Sequence, residues 1–112
     1  MKDIISFEEF VKLDIRTGTI IEVQDFPEAR KPAFRLKIDF GALGTKQSSA
    51  QITNLYTRDQ LLNRQIIAVI NFKPKQIANF ISECLVLGVA DSNGNIVLLQ
   101  ASSPTKNGKP VN

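Results

Sequence analysis

From 34 to 40 apolar and charged side chains alternate without a break: Phe34, Leu36, Ile38 and Phe40 fall on one face, Arg35, Lys37 and Asp39 on the other. A period of two predicts a strand half-buried against a core. The same period runs from 15 to 23, with Ile15, Thr17, Thr19, Ile21 and Val23 on one face and Arg16, Gly18, Ile20 and Glu22 on the other. Gly18 in mid-strand predicts a bend or a bulge, as a tightly curved barrel requires. Residues 46–52 are small and polar and read as a third strand. Residues 65–72 are almost continuously apolar and β-branched, which predicts a strand covered on both faces, ended by Lys73-Pro74-Lys75. A further strand is expected over 81–89. The turn-rich residues 91–95 then join it to 96–99 as a hairpin.

Helical spacing appears only twice, and briefly. Ser6-Phe7-Glu8-Glu9 has the spacing of a capping box, with Ile5 and Phe10 placed as its hydrophobic staple, so a helix of one or two turns is expected over 7–12. Thr57-Arg58-Asp59-Gln60 repeats the pattern, with Tyr56 and Leu61 as the staple, and predicts a helix at about 58–63. The prolines of loop 25–32 exclude a regular strand there, and the tail 102–112 holds two prolines and an Asn-Gly turn. Three strands, a short helix, then two strands is the order of an OB barrel. The expected fold is therefore all-β: an OB-fold barrel with short helices before strand 1 and between strands 3 and 4, plus terminal extensions. Helices this short exclude a parallel α/β sheet.

Composition narrows the function more than the fold. The 112 residues suit one domain, spanning 1–112, and 43% hydrophobic content is enough for a modest core. No stretch reaches the ~20 apolar residues of a membrane span, and the start turns acidic too early for a signal peptide. The single cysteine, Cys84, lies in an apolar run and reads as a small buried hydrophobe in a reducing, cytoplasmic setting. There is no histidine, hence neither the commonest general base nor the commonest metal ligand. No phosphate-binding or dinucleotide glycine motif occurs; Gly41-Ala42-Leu43-Gly44 has the wrong spacing. The expectation is a binding module without cofactor or metal rather than an enzyme. Net charge is +3, distributed as −1 over 1–41 and +4 over 42–112, which points to an anionic or extended partner.

Particular residues carry a family likeness. Residues 10–20, from Phe10-Val11-Lys12-Leu13-Asp14 to Thr19-Ile20, resemble the opening of the tRNA-binding OB domain attached to some aminoacyl-tRNA synthetases. Pro27-Glu28-Ala29-Arg30-Lys31 is similar to that family's first loop. Asn71-Phe72-Lys73-Pro74-Lys75-Gln76-Ile77 and Ile81-Ser82-Glu83-Cys84-Leu85 are similar to its later loop and strand, so that the likeness covers about 8–112. Asp39-Phe40-Gly41, residues 46–53 and Val86-Leu87-Gly88 resemble the CsaA type within the family. That resemblance implies a cytoplasmic homodimeric chaperone that binds unfolded or precursor polypeptides and works with the export machinery, without inserting in a membrane; the wider family implies tRNA as the alternative ligand. Relatives that bind nucleic acid read Ser-Glu-Gly-Met where this chain has Ser82-Glu83-Cys84-Leu85, which weakens the tRNA reading.

The candidate sites follow. In OB folds the loops between strands 1 and 2 and between 4 and 5 border the ligand groove. Arg30 and Lys31 would face Asn71, Lys73 and Lys75 across it, either as contacts to phosphate or acidic peptide or as ordinary solvated charges. Phe72, in the same loop, reads as core in preference to groove wall. Ser49 and Gln51 on the polar third strand, with Ser82, offer donors and acceptors for a peptide backbone, or else simply face solvent. The stripe Phe7, Phe10, Val11 and the strand carrying Val97 and Leu99 lie outside the five barrel strands. They are the expected homodimer interface, for which about 800 Å² per partner is usual; the alternative is that each caps its own barrel.

Overall fold

The computed structural model describes all residues, 1–112. The alternating segment forms β2 (Phe34–Asp39), and Phe34, Leu36, Ile38 and the following Phe40 are all buried in one core as the pattern requires. β2 lies between β1 (Ile15–Asp25) and β3 (Thr45–Ala50), antiparallel to both, in registers that include Val23↔Leu36 and Leu36↔Ser48. β4 (Gln65–Val69) pairs with the first half of β1, and β7 (Leu85–Val86) pairs with β4, giving one antiparallel sheet in the order β3-β2-β1-β4-β7. This nearly closed sheet, with α1 (Phe7–Phe10) before β1 and α2 (Arg58–Leu61) between β3 and β4, has OB architecture. Both capping boxes form, Ser6 with Glu9 and Thr57 with Gln60. Leu61 from α2 is fully buried and joins the barrel core.

In β1 the faces differ from the simple alternation. The register shifts between Ile20 and Glu22, so that Ile21 is the extra residue of a bulge. The inward set becomes Gly18, Ile20 and Val23; Ile20 is wholly buried whereas Ile21 is 36% exposed. Gly18 is not the bulge. A Cβ there would stand 2.6 Å from the Phe40 ring and 2.7 Å from the Ile38 side chain, so the glycine lets β1 cross close over β2.

Two expected strands are shorter than the apolar runs. β4 stops at Val69, with Ile67 and Ile70 only half-buried and Phe72 outside the sheet. The run 81–89 is not one strand but parts of β6 (Phe80–Ser82), β7 and β8 (Gly88–Ala90), separated at Glu83-Cys84 and Leu87. Each break serves a different pairing: β6 forms a hairpin with β5 (Lys75–Ile77), β7 joins the barrel, and β8 pairs with β9 (Ile96–Leu98). The tail lies along the edge of β1 left free before its pairing with β2 begins at Thr19: Thr17 donates its N–H to the Lys109 carbonyl, and Gly108 and Val111 donate theirs to the Thr17 and Ile15 carbonyls. Buried Thr17 is satisfied there, its hydroxyl donating to the Lys106 carbonyl at 2.8 Å and accepting from the Lys109 N–H at 3.0 Å.

The bulge makes a test of adjacent residues. Ile20→Ala should cost about 2–5 kcal/mol, whereas Ile21→Ala should cost about 1 kcal/mol or less. Urea denaturation midpoints read both; equal losses would mean that the bulge is misplaced.

Candidate binding cleft

A five-strand sheet becomes a barrel where its outer strands meet, and here β3 meets the segment 81–84. Glu83 donates its N–H to the Gln47 carbonyl at 2.8 Å and accepts the Gln47 N–H on its carboxylate at 3.0 Å. The Gln47 amide donates to the Ile81 carbonyl, Ser49 N–H to Ser82 Oγ, and the Ser48 hydroxyl to the Cys84 carbonyl at 2.9 Å. Past Ser49 this seam ends. The two sides diverge and a cleft of about 550 Å³ opens, within the size range of small-ligand sites.

One wall of the cleft is the end of β3, Ser49 to Ile52; another is the loop and strand bearing Phe72, Lys73, Lys75 and Ile77. Its floor holds Cys84 and Val86, and Leu85 stands at its edge, half exposed. Of the candidate groove residues, Ser49, Gln51, Phe72, Lys73, Lys75 and Ser82 therefore come together. Phe72 corrects an expectation: it is 48% exposed in the cleft and not in the core, because β4 has already ended at Val69 and left it in the loop. Leu85 went unnoticed in the sequence, since an unbroken strand over 81–89 gave no reason to expose it.

Three other candidates lie elsewhere. Asn71 is a tether: its Oδ1 accepts from the Asp14 N–H at 2.9 Å and its Nδ2 donates to the Lys12 carbonyl at 2.7 Å, holding the link from α1 to β1. Lys31 borders a separate hollow of about 330 Å³ that shares Gln51, Ile52 and Ile96 with the cleft. Arg30 is exposed on its loop. The facing loops do meet, but they meet closed. Phe26 and Phe80 pack at 5.5 Å with Ala33 beneath them, and the Arg35 guanidinium lies 4.4 Å from the Phe26 ring centre. Its Nη2 reaches Glu28 on one loop at 2.9 Å and Asn79 on the other at 3.0 Å.

Of the expected interface residues, Phe7 and Val11 are exposed and Phe10 half-buried, around a hollow of about 520 Å³ that also takes in Pro110 and Val111. Val97 and Leu99 flank buried Leu98 on β9, are each 38% exposed, and do not line that hollow. A smaller polar hollow of about 250 Å³ crosses the outer face of β2, where cations and carboxylates are mixed and Lys37 stands 3.9 Å from Glu22.

Burial pushes the Cys84 thiol up to about 11; the Ser48 hydroxyl and Lys46 act against that shift and Glu83 acts with it. The thiol is thus a neutral part of the cleft floor. No helix is long and apolar enough to cross a membrane.

A five-strand OB barrel with an apolar cleft and lysines at its rim is the architecture of a ligand-binding module. Residues 15–110 match the family described as "Putative tRNA binding domain". The chaperone CsaA of Bacillus anthracis is similar in structure, with a TM-score of 0.93 and 50% identity over 98% of this chain and 100% of that one. The CsaA chaperone of Picrophilus torridus gives 0.92 and 54%, over 97% of this chain and 100% of that one. The methionine–tRNA ligase of Thermococcus onnurineus is 36% identical over 107 residues, 96% of this chain but only 14% of the ligase. The chain belongs to the tRNA-binding OB-domain family and is a CsaA-type member of it.

Alkylation checks the thiol. At pH 8 Cys84 should react roughly 100-fold more slowly than an ordinary thiol, following its smaller thiolate fraction, and the rate should climb with pH towards about 11. Because the folded state disfavours the thiolate, this contribution to stability is complete below the ordinary thiol pKa of 9.0 and is lost as pH rises through about 11. Equal rates in the folded and urea-unfolded chain at pH 8 would contradict the burial.

Proposed function

We propose that the protein is a chaperone whose cleft takes up exposed segments of unfolded or precursor polypeptides and assists their export. The observation that carries this reading is the pair Phe72 and Leu85, two large apolar side chains each about half exposed in a cleft that also presents Ser49 and Gln51. Exposed apolar surface beside adaptable polar groups suits a chain that has lost its own core partners. Similarity to proteins named as CsaA chaperones supports it. Binding rather than catalysis is the proposed role, in the cytoplasm.

A homodimer is part of the proposal. Ile4, Ile5, Phe7 and Val11 are all more than half exposed, and Phe7 and Val11 line one hollow with Val111; exposed apolar surface of this sort marks an interface. Val97 on β9 and Leu99 just after it remain proposed contributors. The second reading, a tRNA-binding module, is favoured by the family itself and by Lys73 and Lys75 at the cleft rim.

Light scattering of an aggregating client protein tests the first reading: the protein should suppress aggregation, and Phe72→Ala should weaken client binding about tenfold or more, or 1.4 kcal/mol. Unchanged aggregation with the intact protein would reject it. For the second, tRNA affinity measured between 50 and 200 mM salt should fall steeply, by about two decades for four phosphate contacts. The double change Lys73→Ala with Lys75→Ala should then flatten the log–log slope by about 2. A salt-independent affinity would sink the tRNA reading.

A further inference from the structure

In β3 the backbone groups of alternate residues point to opposite edges. Lys46, Ser48 and Ala50 stand opposite Ile38, Leu36 and Phe34 of β2. Gln47 and Ser49 turn their N–H groups to the other edge, where Glu83 and Ser82 take them. The same alternation, continued one residue past β3, brings Gln51 to that edge inside the cleft. There nothing meets it: Gln51 makes no hydrogen bond through its backbone or its side chain. The seam that closes the barrel thus stops one pairing position short of the strand's reach. What is left is a free N–H and C=O on an exposed residue that borders the cleft, the feature an added strand satisfies.

We infer that the cleft binds its polypeptide by strand addition, with the main chain of an extended segment pairing to Gln51 and continuing the β3 edge. This rests on the peptide-binding reading above and specifies its ligand. Side chains of an added strand alternate, so one set lies against Phe72 and Leu85 and is apolar. Charge selects what flanks it. Lys73 and Lys75 border the cleft, and Lys31 borders the adjoining hollow that shares Gln51 with it. The ligand is an extended segment with apolar residues at alternate positions and acidic residues at its ends. A nucleic acid meets the lysines equally well, but it has no main-chain N–H and C=O pair to offer Gln51, and Phe72 is the single aromatic side chain in the cleft for bases to stack on.

The test uses a short fluorescein-labelled peptide with valine at alternate positions, threonine between them and glutamate at both ends, titrated into the full chain by fluorescence anisotropy. A series of the same peptide, each N-methylated at one amide, should show an affinity loss of about tenfold at the one amide that donates to the Gln51 carbonyl and little change at the others. Gln51→Ala, which keeps the backbone, should bind within about twofold of the unchanged protein, whereas Gln51→Pro, which removes the N–H, should lose about tenfold. The methylated series covers the case in which the proline variant does not fold. Replacing the terminal glutamates with lysine should weaken binding about tenfold. Binding that is indifferent to methylation at every position overturns strand addition while leaving peptide binding standing. No binding of the unmethylated peptide, or its replacement in the cleft by a single-stranded RNA oligonucleotide, overturns the peptide-binding reading and strand addition with it.

Discussion

The closure of the barrel between β3 and residues 81–84 is the constraint from which the rest of the molecule follows. A curved sheet of five strands leaves two edges exposed, and an exposed edge is a liability unless it is paired or covered. Here the pairing is short and depends largely on side chains: the Glu83 carboxylate and Ser82 hydroxyl accept β3 amides that a regular strand would meet with carbonyls. Side-chain acceptors permit the chain at Glu83-Cys84 to turn away from β3 directly afterwards, which a regular ladder would not. Leu85 and Val86 then turn to β4 instead. The same few bonds close the core and end the seam early enough to leave a cleft.

A second clamp maintains the shape of that cleft. The hairpin of β5 and β6 forms one of its walls through Lys75 and Ile77, and a three-residue strand pair is too small to hold a position unaided. Arg35 supplies what is missing. Its guanidinium contacts the rings of Phe26 and Phe80 and bonds to Glu28 and Asn79, so one β2 side chain ties loop 26–33 to the hairpin. Arginine suits this position in a way lysine would not, because a planar fork can stack and bond at once. Its Nε is buried without a partner, a local cost set against those contacts. The arrangement fills the groove between the two loops and moves the open binding surface to the far side of the hairpin.

What could be read in the sequence was whatever depends on neighbours along the chain. β2 showed itself because four apolar residues alternate with three charged ones, and both short helices because a capping box is a local, reciprocal pattern. The bulge at Ile21 could not be seen in this way: two adjacent isoleucines carry no mark of which one turns inward, and only the register against β2 decides it. The β5–β6 hairpin was hidden because its turn is Ala78-Asn79, with Ala78 at φ 52 where glycine or asparagine would be the usual signal. Phe72 and Asn71 exchanged their expected parts for one reason. An apolar run does not say where pairing stops, so an aromatic three residues past the end of β4 became cleft wall, and the amide beside it became a tether.

The residues that carry the family likeness take on a different meaning in this geometry. Ser82 and Glu83 are the two residues of the run 82–85 shared with the nucleic-acid-binding relatives, and here both are engaged by β3 amides and hold the seam. Cys84, where those relatives have glycine, is buried and faces the Gln47 carbonyl, so the added side chain fills the floor of the cleft. Leu85, in place of methionine, keeps an apolar side chain at the cleft edge without methionine's flexibility. The change thus leaves the frame intact while altering what the cleft offers: a filled, apolar floor and a firm apolar edge, beside the unpaired backbone of Gln51 just past β3. Lysines at the rim would draw either a phosphate backbone or an acidic peptide to that opening. The floor, the edge and the free backbone at Gln51 distinguish between the two, and they favour polypeptide.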